Sequence, residues 1–287
     1  MKLSVVVPAY NEEHELGACL DHLLAQTLPI DEVIVVDNCS TDRTGDIARD
    51  YARQHPRVRA LTEERRGVAW ARDKGFDNAT GDIIGRVDAD ARARRDWSSV
   101  VMRFFTDESN AEWDVIGGFP LMTDAPGWRK QEEKLEKLAA DKGGRETNGV
   151  IGQCFAMRRS CWEAIRGFLL SERHDIHEDH DMSAAVRQSG RRLWLSYGLI
   201  VEGSSRRFRV PPWRNVGYAL GGSRAAWARR DWTVFAQQTF LVLPFASVYL
   251  CVLWVRLRGW DPETERWSAR RLWDERREAV RVSPVLD

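Results

Sequence analysis

Ile83-Ile84-Gly85-Arg86-Val87-Asp88-Ala89-Asp90 is a short, largely apolar run that ends in two carboxylates two positions apart. A run of this length without clean polar alternation suits a strand buried on both faces, as in a parallel sheet. Upstream lie three similar runs: Leu3 to Val7, broken only by Ser4, then Glu32 to Val36, which ends at Asp37, and Val58 to Leu61. Helical stripes separate them. Leu16, Cys19, Leu20 and Leu23 share one face behind Asn11, a candidate helix cap, and Ile47, Ala48 and Tyr51 share another. Residues 67–76 read as a short helix rich in glycine and alanine. Strand and helix thus alternate four times in about ninety residues, which predicts an α/β fold with a mostly parallel sheet flanked by helices. Ligands of such sheets bind beyond the carboxyl ends of the strands. Asn11, Glu12, Asp37, Asp88 and Asp90 all fall at those ends.

Downstream, a helix is expected from Asp96, with Trp97, Val100, Val101, Phe104 and Phe105 turned inward, followed by a strand at Val115 to Gly118. Residues 121–149 are polar and read as a helix and a loop. A second block begins at Phe155 to Met157 and runs through Trp162 and Phe168 to the acidic HEDHD, His177 to Asp181. A helix through Met182, Ala185 and Val186 then ends near Gly190, and Leu193 to Tyr197 is a strand.

Composition narrows the function classes. The chain has 287 residues, 43% of them hydrophobic, with 43 Lys plus Arg balanced by 43 Asp plus Glu. Zero net charge gives no support to a nucleic-acid partner. Five cysteines, an odd number with no C-x-x-C pair, read as reduced thiols of a cytoplasmic protein. The apolar run of MKLSVVVPAYNEE stops at Pro8 and is too short for a signal peptide, so the catalytic part is expected to face the cytoplasm.

Asp88 and Asp90 can turn toward one cation, and magnesium or manganese takes carboxylate and phosphate oxygens. Such an ion would neutralise a diphosphate. The competing reading is a solvated acidic turn. Asp37 can accept hydrogen bonds from a nucleoside, or start a helix through an Asx-turn. Glu178 and Asp179 can serve as general base, or merely favour a helix N-terminus. His174, His177 and His180 lie beside them and could ligate a metal or be solvated. Arg206 and Arg207 have the guanidinium forks that clamp phosphate oxygens.

These elements arrive in the order of the family 2 glycosyltransferases, inverting enzymes of the GT-A fold, which the chain resembles over roughly residues 3–210. VVPAYNEE (Val6–Glu13) resembles the opening strand and donor loop, and Pro8, Tyr10 and Glu12 are its donor-binding candidates. VVDNCSTDRT (Val35–Thr44) resembles the second signature, whose Asp37 would contact the base. RRGVAWARDKG (Arg65–Gly75) resembles a donor segment, giving Arg66, Gly67 and Arg72, although the family usually has Asn where this chain has Asp73. VDAD (Val87–Asp90) resembles the metal element: Asp88 would lie on the nucleotide-sugar side and Asp90 on the metal. GQCFAMRRSCWEAIRGF (Gly152–Phe168) resembles the acceptor-side segment, and EDHDMSAAVRQSGRRL (Glu178–Leu193) the acidic signature with Asp179 as base and Glu178 beside it.

The resemblance implies metal-dependent transfer of a sugar from a UDP-, GDP- or dTDP-linked donor to an acceptor hydroxyl, with inversion. The Gln-x-x-Arg-Trp motif of processive members is absent, so one sugar per encounter is expected. Alternatives are transfer to a polyprenyl phosphate and an inactive nucleotide-binding scaffold.

The catalytic domain is expected over residues 1–228, and residues 229–287 form an apolar helix with an arginine-rich tail. Residues 239–255, TFLVLPFASVYLCVLWV, are 17 uncharged residues between Arg229–Arg230 and Arg256–Arg258. Trp232 and Trp254 are placed as interfacial anchors. The segment is expected to associate with the cytoplasmic membrane, which would favour a lipid-linked acceptor over a soluble glycan. A buried core helix is the competing reading.

Overall fold

In the computed structural model, which describes residues 1–273, strands β1 (Leu3–Ala9), β2 (Glu32–Asp37), β3 (Val58–Thr62) and β4 (Ile83–Val87) lie side by side in the order β3-β2-β1-β4. All three pairings are parallel. Their side chains alternate between two cores. Val5, Val7, Val33 and Val35 enter one; Val6, Ile34, Val36 and Ile84 enter the other. This explains the unbroken apolar runs: both faces are covered, so neither position of the pleat is free to be polar.

Helices α1 (Leu16–Leu24), α2 (Thr44–Gln54) and α3 (Val68–Asn78) make the crossovers. β5 (Arg92–Ala93), α4 (Trp97–Thr106), β6 (Val115–Met122), α5 (Trp128–Lys142), β7 (Gly144–Thr147), β8 (Cys154–Arg158), α6 (Arg159–Ile165), α7 (Glu178–Gln188) and β9 (Leu193–Gly203) follow. The sheet continues from β4 through β8, β6 and β9 to β5, with β7 on β9. β8 is antiparallel to β4 and β6, whereas β6 and β9 are parallel. Residues of α1 and α4 fill the first core; residues of α3, α6 and α7 fill the second.

Several local expectations are corrected. Asn11 does not cap α1, which begins at Leu16: its φ is 53°, and its side-chain oxygen accepts from the Thr41 N–H at 2.8 Å instead. The strand expected to stop at Gly118 runs on to Met122, and the one expected to stop at Tyr197 runs on to Gly203. The polar stretch 121–149 contains α5 and then a strand, β7, in place of a plain loop.

After β9 the chain makes a tight turn at Arg206–Arg209 and enters α8 (Val216–Ala228), α9 (Trp232–Ala236), a π-turn at Gln237–Val242 and α10 (Leu243–Arg258). Pro244 has no N–H to donate and its ring crowds the preceding turn, a local cause for the widened coil. Residues 274–287, with the last arginines of the tail, lie outside the described residues.

The pairing of β6 with β9 slips between Gly117 and Phe119. Gly118 sits in that slip. A methyl group there would meet the Leu199 carbonyl oxygen and stand 2.6 Å from Cys154 Sγ. Neither is the movable end of a long side chain. Gly118→Ala is therefore expected to destabilise the fold by about 1–3 kcal/mol, read as a lowered thermal midpoint; an unchanged midpoint would show that the sheet yields there.

Candidate active site

The carboxyl ends of β1, β2 and β4 open onto one edge of the sheet, and three loops are stitched together there by side chains. Asn11 N–H donates to Ser40 Oγ at 3.0 Å, and Glu12 N–H to Thr44 Oγ1 at 2.7 Å. Asn38 donates to the carbonyls of Glu63 and Arg65 and accepts from Gly67 N–H at 2.7 Å. Asp37, at the end of β2 opposite Ala9, accepts from Ser40 N–H at 3.3 Å. A side chain at Gly45 would stand 2.7 Å from its carboxylate, so the glycine leaves Asp37 room. On the same side Arg66 donates to the Tyr10 hydroxyl at 3.0 Å. Gly67 stands at the N-cap just before α3 with a φ of 137°, and a methyl there would collide with His174 at 2.9 Å. Pro8 lies within β1, opposite Val36.

Beyond β4, Asp90 pairs with Arg206 at 2.8 Å, and the same guanidinium nitrogen bonds Glu12. Glu12 Oε2 is buried without a hydrogen-bond partner. Burial raises the Glu12 carboxyl to about 7, with Arg206 opposing the shift. Asp88 is likewise pushed up by burial, and Arg86 holds it back. Glu12 and Asp90 share Arg206 while Asp88 is held by Arg86, and the orphaned Glu12 oxygen is the kind of group a magnesium or manganese ion satisfies.

Two further acids come from the first turn of α7. Asp179 accepts from Gly152 N–H at 3.1 Å and from His180 N–H at 2.8 Å. Glu178 instead bonds Arg86 Nη1 at 2.7 Å. Burial works against its charge, yet Arg86 and Arg72 hold it well below the usual carboxylate range, at about 2. Arg72 is fully buried; it pairs with Asp73 at 2.7 Å and donates to the Glu178 carbonyl at 3.1 Å. This accounts for an aspartate at position 73, since a neutral side chain would leave the buried guanidinium without a counter-charge. The ring of His177 packs against Tyr218 of α8, 4.5 Å between centroids, and Arg207 lies over Tyr218 at 4.6 Å. His177, Asp179 and His180 offer ligand atoms within 4.8 Å of one another; His174 stands apart, against Gly67.

Contacts therefore run from Glu12 through Arg206 to Asp90, and separately from Asp88 through Arg86 to Glu178. Asp37, Tyr10 and Arg66 flank the first group. Arg207 belongs with the histidines, away from the Asp90 pair. Arg86, Gly152 and Tyr218 were not among the sequence candidates. Arg86 carried a legible signal, a charge inside an apolar strand; Gly152 and Tyr218 act through long-range packing that carries none.

The raised Glu12 pKa makes a signed prediction. Between its ordinary 4.5 and about 7 the folded protein holds a proton that the unfolded chain has released. Stability from this group is thus full below the lower value and is lost as pH rises through the upper one. Glu12→Gln removes that loss, so its stability relative to wild type should rise by on the order of 1–3 kcal/mol between about pH 5 and about pH 7.5 in denaturant titrations. A pH-independent difference would contradict the assignment.

Residues 4–166 match the family described as Glycosyl transferase family 2. The glucosyl-dolichyl phosphate glucuronosyltransferase of Haloferax volcanii is 28% identical over 67% of this chain and 66% of its own. Glycosyltransferase EpsJ of Bacillus subtilis is 37% identical over 40% of this chain, and the match spans about a third, 33%, of that relative's length. Among solved structures, the mannosyltransferase PcManGT of Pyrobaculum calidifontis, in complex with GDP-Man and Mn2+, superposes with a TM-score of 0.63 at 25% identity, covering 88% of this chain and 73% of that one. TarS 1-349 of S. aureus with UDP-GlcNAc gives 0.60 at 17% identity, covering 90% and 80%, a likeness of fold. With the family pattern covering more than half of its length and the sheet order of a GT-A domain, the chain belongs to glycosyl transferase family 2.

Proposed function

We propose that this protein transfers a single sugar from a nucleotide-sugar donor to an acceptor hydroxyl, with inversion at the anomeric carbon. The observation that carries this reading is the convergence of Asp37, Asp88 and Asp90 with Asp179 at the carboxyl edge of one sheet. Asp37, Tyr10 and Arg66 would receive the nucleoside; Pro8, Gly67 and Arg72 shape that side. Asp179, oriented by the Gly152 N–H, would take the proton of the attacking hydroxyl. Glu178 is spent on Arg86 and is the poorer base. Arg206 would meet the diphosphate as charge develops on it; Arg207, over Tyr218, stands with the histidines instead. A magnesium or manganese ion bound by Asp90, with Asp88 and Glu12 at hand, would neutralise the leaving diphosphate. A scaffold without turnover would not need to keep Asp37, Asp88, Asp90 and Asp179 together.

The donor complexes of the neighbours, GDP-Man and UDP-GlcNAc, support a screen of GDP-, UDP- and dTDP-sugars with manganese, read as release of the nucleoside diphosphate. In that assay Asp90→Asn should keep the fold and lose most of the metal-supported turnover; turnover with an unaltered manganese requirement would remove Asp90 from the metal. Asp179→Asn should lower turnover roughly 10²-fold or more while nucleotide affinity by calorimetry changes little. Near-normal transfer would reassign the base. It would also favour a polyprenyl phosphate acceptor, whose oxygen is already an anion.

We propose that residues 229–287, expected as a unit separate from the catalytic domain but joined to it through Arg229–Asp181 and Arg187–Asp231, carry a surface that rests on the cytoplasmic membrane. Among the described residues no single helix is long and apolar enough to cross a bilayer, but Trp232–Phe245 and Ser247–Arg258, bent by 40°, together have the length and composition. Phe240, Phe245 and Val248 are 70%, 77% and 67% exposed. Contiguous exposed apolar side chains support a lipid contact over a core helix. Trp227, Trp232 and Phe235 cluster edge to face beside Arg229 and Arg230, as interfacial aromatics do. The relative named for glucosyl-dolichyl phosphate supports a lipid-linked acceptor. On cell fractionation the full chain should sediment with membranes and a version ending at Ala228 should not; a full chain that is soluble and monodisperse without detergent would end this reading.

A further inference from the structure

Arg86 is out of place in β4 by any apolar reading of that strand. Its neighbours across the sheet are Val6 on β1 and Phe155 on β8, and its side chain is 3% exposed. A guanidinium in such a layer is strongly unfavourable unless its charge is met. Two carboxylates meet it, from opposite halves of the site. Nε and Nη2 bond Asp88 Oδ1 at 3.0 and 2.9 Å, and Nη1 bonds Glu178 Oε1 at 2.7 Å. Asp88 directly follows β4, beside the proposed donor site. Glu178 is the first residue of α7 and the neighbour of Asp179.

The surroundings close around this bridge. A methyl at Gly152 would stand 3.2 Å from Glu178 Oε1 and 3.3 Å from Arg86 Nη1. The glycine thus lets its backbone pass beside the ion pair and give its N–H to Asp179 Oδ2 at 3.1 Å. Arg72 holds the Glu178 carbonyl from the other side at 3.1 Å.

We propose that Arg86 is a positioning residue: it clamps the donor-side Asp88 and the first turn of α7 to one rigid group, and so sets where Asp179 stands relative to the donor. The inference rests on the reading of Asp179 as base. The planar fork matters, because two fixed N–H directions serve two carboxylates at once, whereas an ammonium is a point charge on a flexible stem. Without the fork Asp88, Asp90, Glu178 and Asp179 are like charges gathered in one place, and α7 is the element free to retreat.

Arg86→Lys keeps the charge and removes the second arm. With manganese and GDP-mannose or UDP-N-acetylglucosamine, whichever is turned over, it should lower nucleoside diphosphate release by about 30-fold, the scale of a small misplacement of a reacting group. Nucleotide affinity by calorimetry should change less than about threefold, and in an Asp179→Asn background the same Lys should cost less than about threefold, since no base remains to misplace. Glu178→Gln opens the clamp from the other end, and its loss should not add to that of Arg86→Lys. Amide exchange in the first turn of α7 should quicken at least about tenfold in Arg86→Lys, with β1 and β2 unchanged; this readout needs no donor. The proposal is overturned by equal losses in the wild-type and Asp179→Asn backgrounds, by additive losses for Arg86→Lys and Glu178→Gln, or by unaltered exchange in α7. Wild-type turnover in Asp179→Asn alone would sink the reading of the base instead, and the Arg86–Glu178 pair of variants with the exchange measurement would still decide the clamp.

Discussion

Like-charge repulsion at one edge of the sheet is the constraint the rest of the molecule answers. Glu12, Asp88, Asp90, Glu178 and Asp179 arrive there from three separate stretches of chain, and burial makes their mutual repulsion stronger than it would be in water. Three arginines answer it. Arg86 comes up through the sheet between Asp88 and Glu178, Arg72 reaches Glu178 from α3, and Arg206 bends back from the far end of β9 to Glu12 and Asp90. Each arginine joins elements distant in sequence, so neutralising the acids also fixes the loops that carry them. Removing one partner of such a group leaves a buried charge uncompensated, which is far more damaging than removing the pair.

The two ends of this arrangement are not neutralised equally. Glu178 is held deprotonated by two guanidinium groups, whereas Glu12 and Asp88 keep raised pKa values and Glu12 keeps an unpartnered oxygen. The carboxylates at the ends of β1 and β4 are thus the less fully compensated of the two groups. The neighbouring acids at 178 and 179 differ in the same way: one is committed to an ion pair with Arg86, the other accepts from the Gly152 and His180 backbone N–H groups.

Much of this was legible before the structure because its cause is local. Val5 to Val7, Val33 to Val36 and Ile83 to Val87 are continuous apolar runs for one reason, two covered faces, and the acids that end them follow from the sheet direction. Boundaries beyond β5 were less legible. β6 and β9 extend past their apolar portions because they pair with each other across a slip at Gly118, a contact between segments remote in sequence. β7 is polar and is a strand only by its pairing to β9. Asn11 resembles a helix cap in sequence, yet the Ser40–Thr41 loop claims it. Among site residues, Asp37, Asp88 and Asp90 announce themselves at strand ends. Arg86 was hidden in plain view, since an apolar pattern tolerates one exception without revealing where its charge is met. Gly152 and Tyr218 depend on the approach of whole elements, which no spacing encodes.

Gly221 and Gly222 let α8 lie directly against the histidines of α7 and its N-cap. A methyl at Gly221 would stand 2.6 Å from His177 Nε2, and one at Gly222 would stand 3.1 Å from the His180 ring; Arg229 also pairs with Asp181 at 2.6 Å, both side chains nearly buried. The helix leading to the exposed aromatic and aliphatic arm is thus seated directly on the helix that carries Asp179. No flexible tether intervenes. The spacing between Asp179 and the exposed side chains of α10 is therefore a dimension of the folded protein, set by two missing side chains on α8.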